Sequence, residues 1–75
     1  MTIDEKVGLK IKNRRLQLKL SQEELAIRAK LNRSYISLIE GGKKSLTIKT
    51  LNNIRIALKV DFNYFFSSAG SDANS

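Results

Sequence analysis

The sequence predicts an all-α domain, a compact bundle of five short helices within 75 residues. Three observations carry that prediction. Apolar residues recur at three- and four-residue spacing. Most of these runs follow a Ser, Asn, Thr or Asp able to cap a helix. The chain has no proline, no internal repeat and no strand-like alternation.

Residues 4–19 form the first expected helix, with Val7, Ile11 and Leu18 at helical spacing and Lys6, Lys10, Lys12, Arg14 and Lys19 mostly off that stripe. Leu9 and Leu16 also lie off it, which predicts a broad or partly exposed apolar face. Ser21 with Glu24 matches a capping box, in which each residue's side chain accepts from the other's amide. Leu20 supplies the apolar residue before the cap, and Leu25, Ala26 and Ala29 share one face of a second helix ending near Ala29. Asn32 caps a third helix that runs through Glu40 and stops at Gly41 and Gly42, where a left-handed turn suits glycine. Thr47 caps a fourth helix with Leu51, Ile54, Ala57 and Leu58 facing inward. Asp61 caps a last short turn bearing Phe62, Tyr64, Phe65 and Phe66. The closing SSAGSDANS is small and polar and is expected to be disordered, giving a domain at 1–66 and a tail at 67–75.

A chain this short buries only about 60% of its unfolded surface, so a further stabilising device is expected. Cysteine and histidine are both absent, which excludes disulfides and ordinary zinc sites. Association with a second copy is the remaining candidate. The same absences leave no Cys/His or Ser/His/Asp arrangement, and the carboxylates are only Asp4, Glu5, Glu23, Glu24, Glu40, Asp61 and Asp72. Gly41-Gly42-Lys43-Lys44 lacks the rest of a phosphate-loop spacing. The expectation is a binding protein rather than an enzyme, with no cofactor and no metal.

Fourteen Lys and Arg against seven Asp and Glu give a net charge of +7, spread through the domain. That balance suggests a polyanion partner, although a solubilising surface would carry the same charge. No apolar stretch approaches a membrane span and no signal-like segment opens the chain. A cytoplasmic location without a membrane partner is therefore expected.

On a helical wheel the third helix gathers Ile36 and Ile39 on one side, flanked by Tyr35 and Glu40. Arg33, Ser34, Ser37 and Leu38 fall on the other. Arginine can give two parallel donors to guanine, serine can donate or accept, and leucine can meet a thymine methyl. An ordinary amphipathic helix with its polar side in water would look the same on the wheel. Spacing shifts the balance toward the first reading. A capped helix, a tight turn at 30–32 and a second helix make a helix-turn-helix unit, with small Ala26 where the two must approach.

The run LSQEELAIRAKLNRSYISLIEGG resembles the helix-turn-helix of the lambda-repressor and Cro-like (XRE-type) family, and the similarity extends over residues 7–66. It rests on Gln22, Leu25-Ala26, Ile36, Ile39-Glu40, Gly42, Leu51, Ile54 and Leu58. The resemblance implies that Gln22 holds a DNA phosphate, that Arg33, Ser34, Ser37 and Leu38 face the groove, that Arg15 pairs with Glu40 in the fold, and that Phe65 and Phe66 are core. Two positions depart from the pattern. Lys30 stands where glycine is usual, so a side chain must adopt positive φ, and Leu46 replaces a proline common before the fourth helix.

The segment NRSYISLIEGGKKSLTIKTL and the later Phe65-Phe66 are similar to controller proteins of restriction–modification systems, small homodimers that bind tandem palindromic operators. The resemblance thus implies double-stranded operator DNA and a second copy as partners, with RNA polymerase as a further one. A phage-type repressor, an antitoxin regulator, or a protein-interaction module on the same fold are the alternatives.

Other residues carry open readings. Lys43 and Lys44 either grip phosphates beside the groove or sit in a solvated loop. Tyr35 either touches the DNA backbone or packs at the domain edge. Arg33 itself could instead clamp a phosphate or pair with Glu23. Ile56, off the inner stripe of the fourth helix, and Phe62 and Tyr64, from an aromatic surplus, are the candidate dimer interface. RNA-binding is disfavoured, because the aromatics are clustered rather than interleaved with the basic residues.

Overall fold

In the computed structural model, residues 1–67 are described. They form α1 (Ile3–Gln17), α2 (Gln22–Ala29), α3 (Arg33–Glu40), α4 (Ile48–Leu58) and α5 (Phe62–Phe66), without a strand among the described residues. The all-α, five-helix expectation holds. The expected tail lies outside the described residues except for Ser67, whose amide still donates to Asn63 O at 2.9 Å.

Local chemistry starts every helix. Ser21 and Glu24 make both bonds of the capping box, at 2.7 and 3.0 Å. Asn32 Oδ1 accepts from the Tyr35 amide at 2.8 Å, Thr47 Oγ1 from Thr50 at 3.1 Å, and Asp61 Oδ1 from Tyr64 at 3.1 Å. α1 differs from expectation at both ends. It begins at a second capping box, Thr2 with Glu5, at 2.8 and 3.1 Å. It stops at Gln17 because Lys19 turns left-handed, φ 59°, while the amide of Leu20 reaches back to Arg15 O at 3.0 Å.

The same closure recurs at three other helix ends. Leu31 reaches Ala26 O, Lys43 reaches Leu38 O and Val60 reaches Arg55 O, at 2.8, 2.9 and 3.1 Å. In each, the residue before the donor has positive φ: Lys30 at 60°, Gly42 at 71° and Lys59 at 61°. Only one of the four is the glycine this conformation favours. Gly42 has a second reason: a Cβ there would lie 2.6 Å from Glu5 Cγ.

The core joins Val7 and Ile11 of α1, Leu25, Ala26 and Ala29 of α2, Ile36 and Ile39 of α3, the α4 stripe and Phe65. Ala26 is buried, as the close approach of the motif helices requires. Gly8 brings α1 hard against the end of α3; a Cβ there would collide with Ile39 O and come within 3.0 Å of Glu40 O.

The aromatic turn corrects one expectation. Phe65 is fully buried, but Phe66 is 49% exposed. A five-residue helix can turn only one face to the core, and Phe65 takes it. Phe62 and Tyr64 are half-buried against their own domain. The Arg55 guanidinium lies 5.1 Å from the Phe62 ring, and Tyr64 donates to Lys10 O at 3.2 Å. Less of the aromatic surplus is therefore left for a partner than the sequence suggested.

Candidate nucleic-acid interface

α3 is a two-faced helix. Ile36 and Ile39 are buried under it, while Arg33, Ser34, Ser37 and Leu38 are all exposed on its outer side. The wheel thus divides the helix as the structure does. Arg33 has no ion pair with Glu23; among the described residues, Arg15–Glu40 is the only ion pair. The guanidinium is left exposed at the first turn of the helix, beside the Asn32 cap.

Lys43 and Lys44 follow Gly42 and are both exposed. The Lys44 ammonium stands 5.7 Å from the centre of the Tyr35 ring. Tyr35 is half-buried, one side against the core and the other toward this basic loop. The ring thus sits at the edge of the domain, between the core and the loop. The loop is pinned from below by α1, because Ser45 Oγ donates to Asp4 Oδ2 at 2.7 Å. Glu5 packs beneath Gly42, and its carboxyl is held below the usual carboxylate range, chiefly by the Thr2 backbone N–H, with Lys43 a smaller influence.

Gln22, the first residue of α2, donates from Nε2 to Glu40 Oε1 at 3.2 Å. Glu40 also accepts from Arg15, Nε at 2.7 Å and Nη2 at 3.0 Å, as expected for a structural pair. Arg15 Nη1 donates to Leu20 O at 2.7 Å. These bonds fix the end of α3 to α1 and to the start of α2.

The three candidate interface residues do not share a surface of one kind. Ile56 is exposed beside Arg28, Lys30 and Asn53, whereas Phe62 and Tyr64 are largely occupied within the domain. A different apolar surface lies elsewhere on the domain. Ile3, Leu46, Ile48 and Phe66 line one depression, and Ile3, Ile48 and Phe66 are 59%, 72% and 49% exposed. Its residues come from α1, the loop after α3, α4 and α5, so no local pattern reports it. The Asp4–Ser45 and Gln22–Glu40 bonds are equally non-local. The Thr2–Glu5 cap, by contrast, has the local capping-box signature.

The helix-turn-helix family model matches residues 11–65. The chain is 38% identical over 58 residues to the ImmF control region 10 kDa protein of Bacillus phage phi105, covering 77% of this chain and 64% of that one. It therefore spans just under two thirds of that relative's length. Among solved structures it is similar to the restriction–modification controller protein C.AhdI from Aeromonas hydrophila, 28% identical, with a TM-score of 0.81 over 84% of this chain and 91% of the other. It is 41% identical to C.Esp1396I, whose structure was solved on a 25 base pair operator site, with a TM-score of 0.79 over 88% and 87% of the two chains. The chain belongs to the helix-turn-helix family, and its five-helix fold is that of the restriction–modification controller proteins.

Proposed function

We propose that this chain is a sequence-specific DNA-binding transcription regulator of the restriction–modification controller type, acting as a homodimer on a palindromic operator. The observation that carries the reading is the outer face of α3, where Arg33, Ser34, Ser37 and Leu38 are all exposed over an apolar inner face. These residues meet base edges in the major groove: Arg33 through two parallel donors, the serines through hydroxyls, and Leu38 through apolar contact. Gln22, Tyr35, Lys43 and Lys44 contact the sugar–phosphate backbone and set the register. Similarity to a controller bound to its operator supports this reading. In it the chain binds rather than catalyses, works in the cytoplasm and touches RNA polymerase at its promoter. No helix among the described residues is long and apolar enough to cross a membrane.

The second copy docks on the depression lined by Ile3, Leu46, Ile48 and Phe66. Three large apolar side chains left in water on one surface of so small a domain support that choice over Ile56, Phe62 and Tyr64. The phage phi105 relative favours a second reading, a phage-type repressor using the same DNA face.

A salt titration of binding to mixed-sequence duplex DNA tests the reading. Affinity falls linearly on a log–log plot, and Lys43→Ala and Lys44→Ala each reduce the slope by about one. Salt-independent binding, or none at low salt, contradicts it.

A further inference from the structure

Glu40 serves two partners at once. Its side chain is 4% exposed, and it receives Arg15 on both oxygens while Oε1 also accepts from Gln22 Nε2 at 3.2 Å. Arg15 is in turn held by Leu20 O at 2.7 Å, so the carboxylate is a fixed point rather than a mobile surface group. An ionised carboxylate only accepts, whereas a carboxamide has one donating end and one accepting end. Of the two flips open to Gln22, only the one with nitrogen toward Glu40 makes this bond. The reverse flip sets oxygen against oxygen. The nitrogen keeps a second hydrogen, and Gln22 is only half-buried, so that hydrogen is available to an acceptor outside the protein.

We propose that Glu40 is a positioning residue for DNA binding: it fixes the flip of the Gln22 carboxamide so that a donor, not an oxygen, is offered to a backbone phosphate. The proposal rests on the DNA-binding reading above. Phosphate oxygens only accept, so the opposite flip would turn an attraction into a repulsion. Glu40 thereby joins the buried ion pair of the fold to a contact at the protein surface, a role beyond stability.

The test uses mixed-sequence duplex DNA at low salt, because a phosphate grip needs no operator. In the wild-type background Gln22→Ala weakens binding about fivefold, as loss of one ordinary solvent-exposed hydrogen bond predicts. The salt slope stays unchanged, since a neutral donor displaces no counterion. In a Glu40→Gln background the partner can donate or accept and the flip is no longer set, so the carboxamide must first choose its donating flip and Gln22→Ala causes about half the loss, roughly two- to threefold. In an Arg15→Met background the ion pair is gone but the carboxylate still faces Gln22, so the fivefold loss persists. Circular dichroism fixes a temperature at which each variant is folded. If Glu40→Gln does not fold, the Arg15→Met/Glu40→Gln double variant, with no buried charge unpaired, replaces it. An equal penalty with and without the Glu40 carboxylate overturns the proposal. So does the absence of any penalty in the wild type, or its disappearance in Arg15→Met. Failure of the wild type to bind the duplex at all would instead overturn the DNA-binding reading itself.

Discussion

Arg15 and Glu40, 25 residues apart in sequence, meet in a two-pronged ion pair at 2.7 and 3.0 Å that ties α1 to the end of α3. Both side chains are almost wholly removed from water, at 9% and 4% exposure. Removing one partner leaves the other's charge buried, so Glu40→Ala is expected to destabilise the domain by about 3–5 kcal/mol in denaturant unfolding. Replacing both residues with apolar ones of similar size should cost far less. Unchanged unfolding of Glu40→Ala would show that the pair contributes little to the fold.

Lys30 sits in the motif turn at φ 60° with its side chain exposed. Glycine meets no steric penalty in that conformation, and no packing is lost by the change. Lys30→Gly should therefore raise stability by about 0.5–1 kcal/mol, whereas a β-branched Lys30→Val should lower it. Calorimetric melting of the two variants checks the opposite signs.

Much of this fold was legible because its signals are local. Ser21, Asn32, Thr47 and Asp61 each start a helix through a bond to a residue three positions on, and the stripe from Leu51 to Leu58 is a simple helical period. The outer face of α3 was legible for the same reason. The features without a local signal depend on tertiary context. The end of α1 is set by the return of Leu20 to Arg15 O without any glycine to announce it. Phe66 reads as core until the shortness of α5 leaves it outside. Glu40 reads only as Arg15's partner until α2 brings Gln22 beside it.

Acid should weaken the helix starts. Glu24 is held below its usual 4.5, first by the Ser21 backbone N–H and then by the Ser21 hydroxyl, and Glu5 is lowered in the same way by Thr2. Both carboxyls have lower values folded than unfolded. Their contribution is therefore present above about pH 4.5 and is lost as pH falls through the lowered values. A Glu5→Gln/Glu24→Gln variant should show a shallower fall in melting temperature over that acid range. Parallel acid limbs for the variant and the wild type would remove the caps from this account.

The proposed dimer face centres on Ile48, which is 72% exposed, and Phe66. Ile48→Asp should shift sedimentation equilibrium from dimer to monomer and reduce operator affinity at least tenfold, a loss of about 1.4 kcal/mol or more. Ile56→Asp, on a separate surface, should leave the dimer intact. The reverse result would return the interface to Ile56.

The most direct test is selection of binding sites from a randomised duplex library by the wild type and by Arg33→Ala. A dimer with two recognition helices should select an inverted repeat with half-site centres one turn apart, about 34 Å. Arg33→Ala should select the same repeat with preference relaxed at one symmetric base pair, a loss of about 1–3 kcal/mol of discrimination there. No enrichment by the wild type, or identical preferences for the two proteins, would contradict base reading by Arg33 on α3.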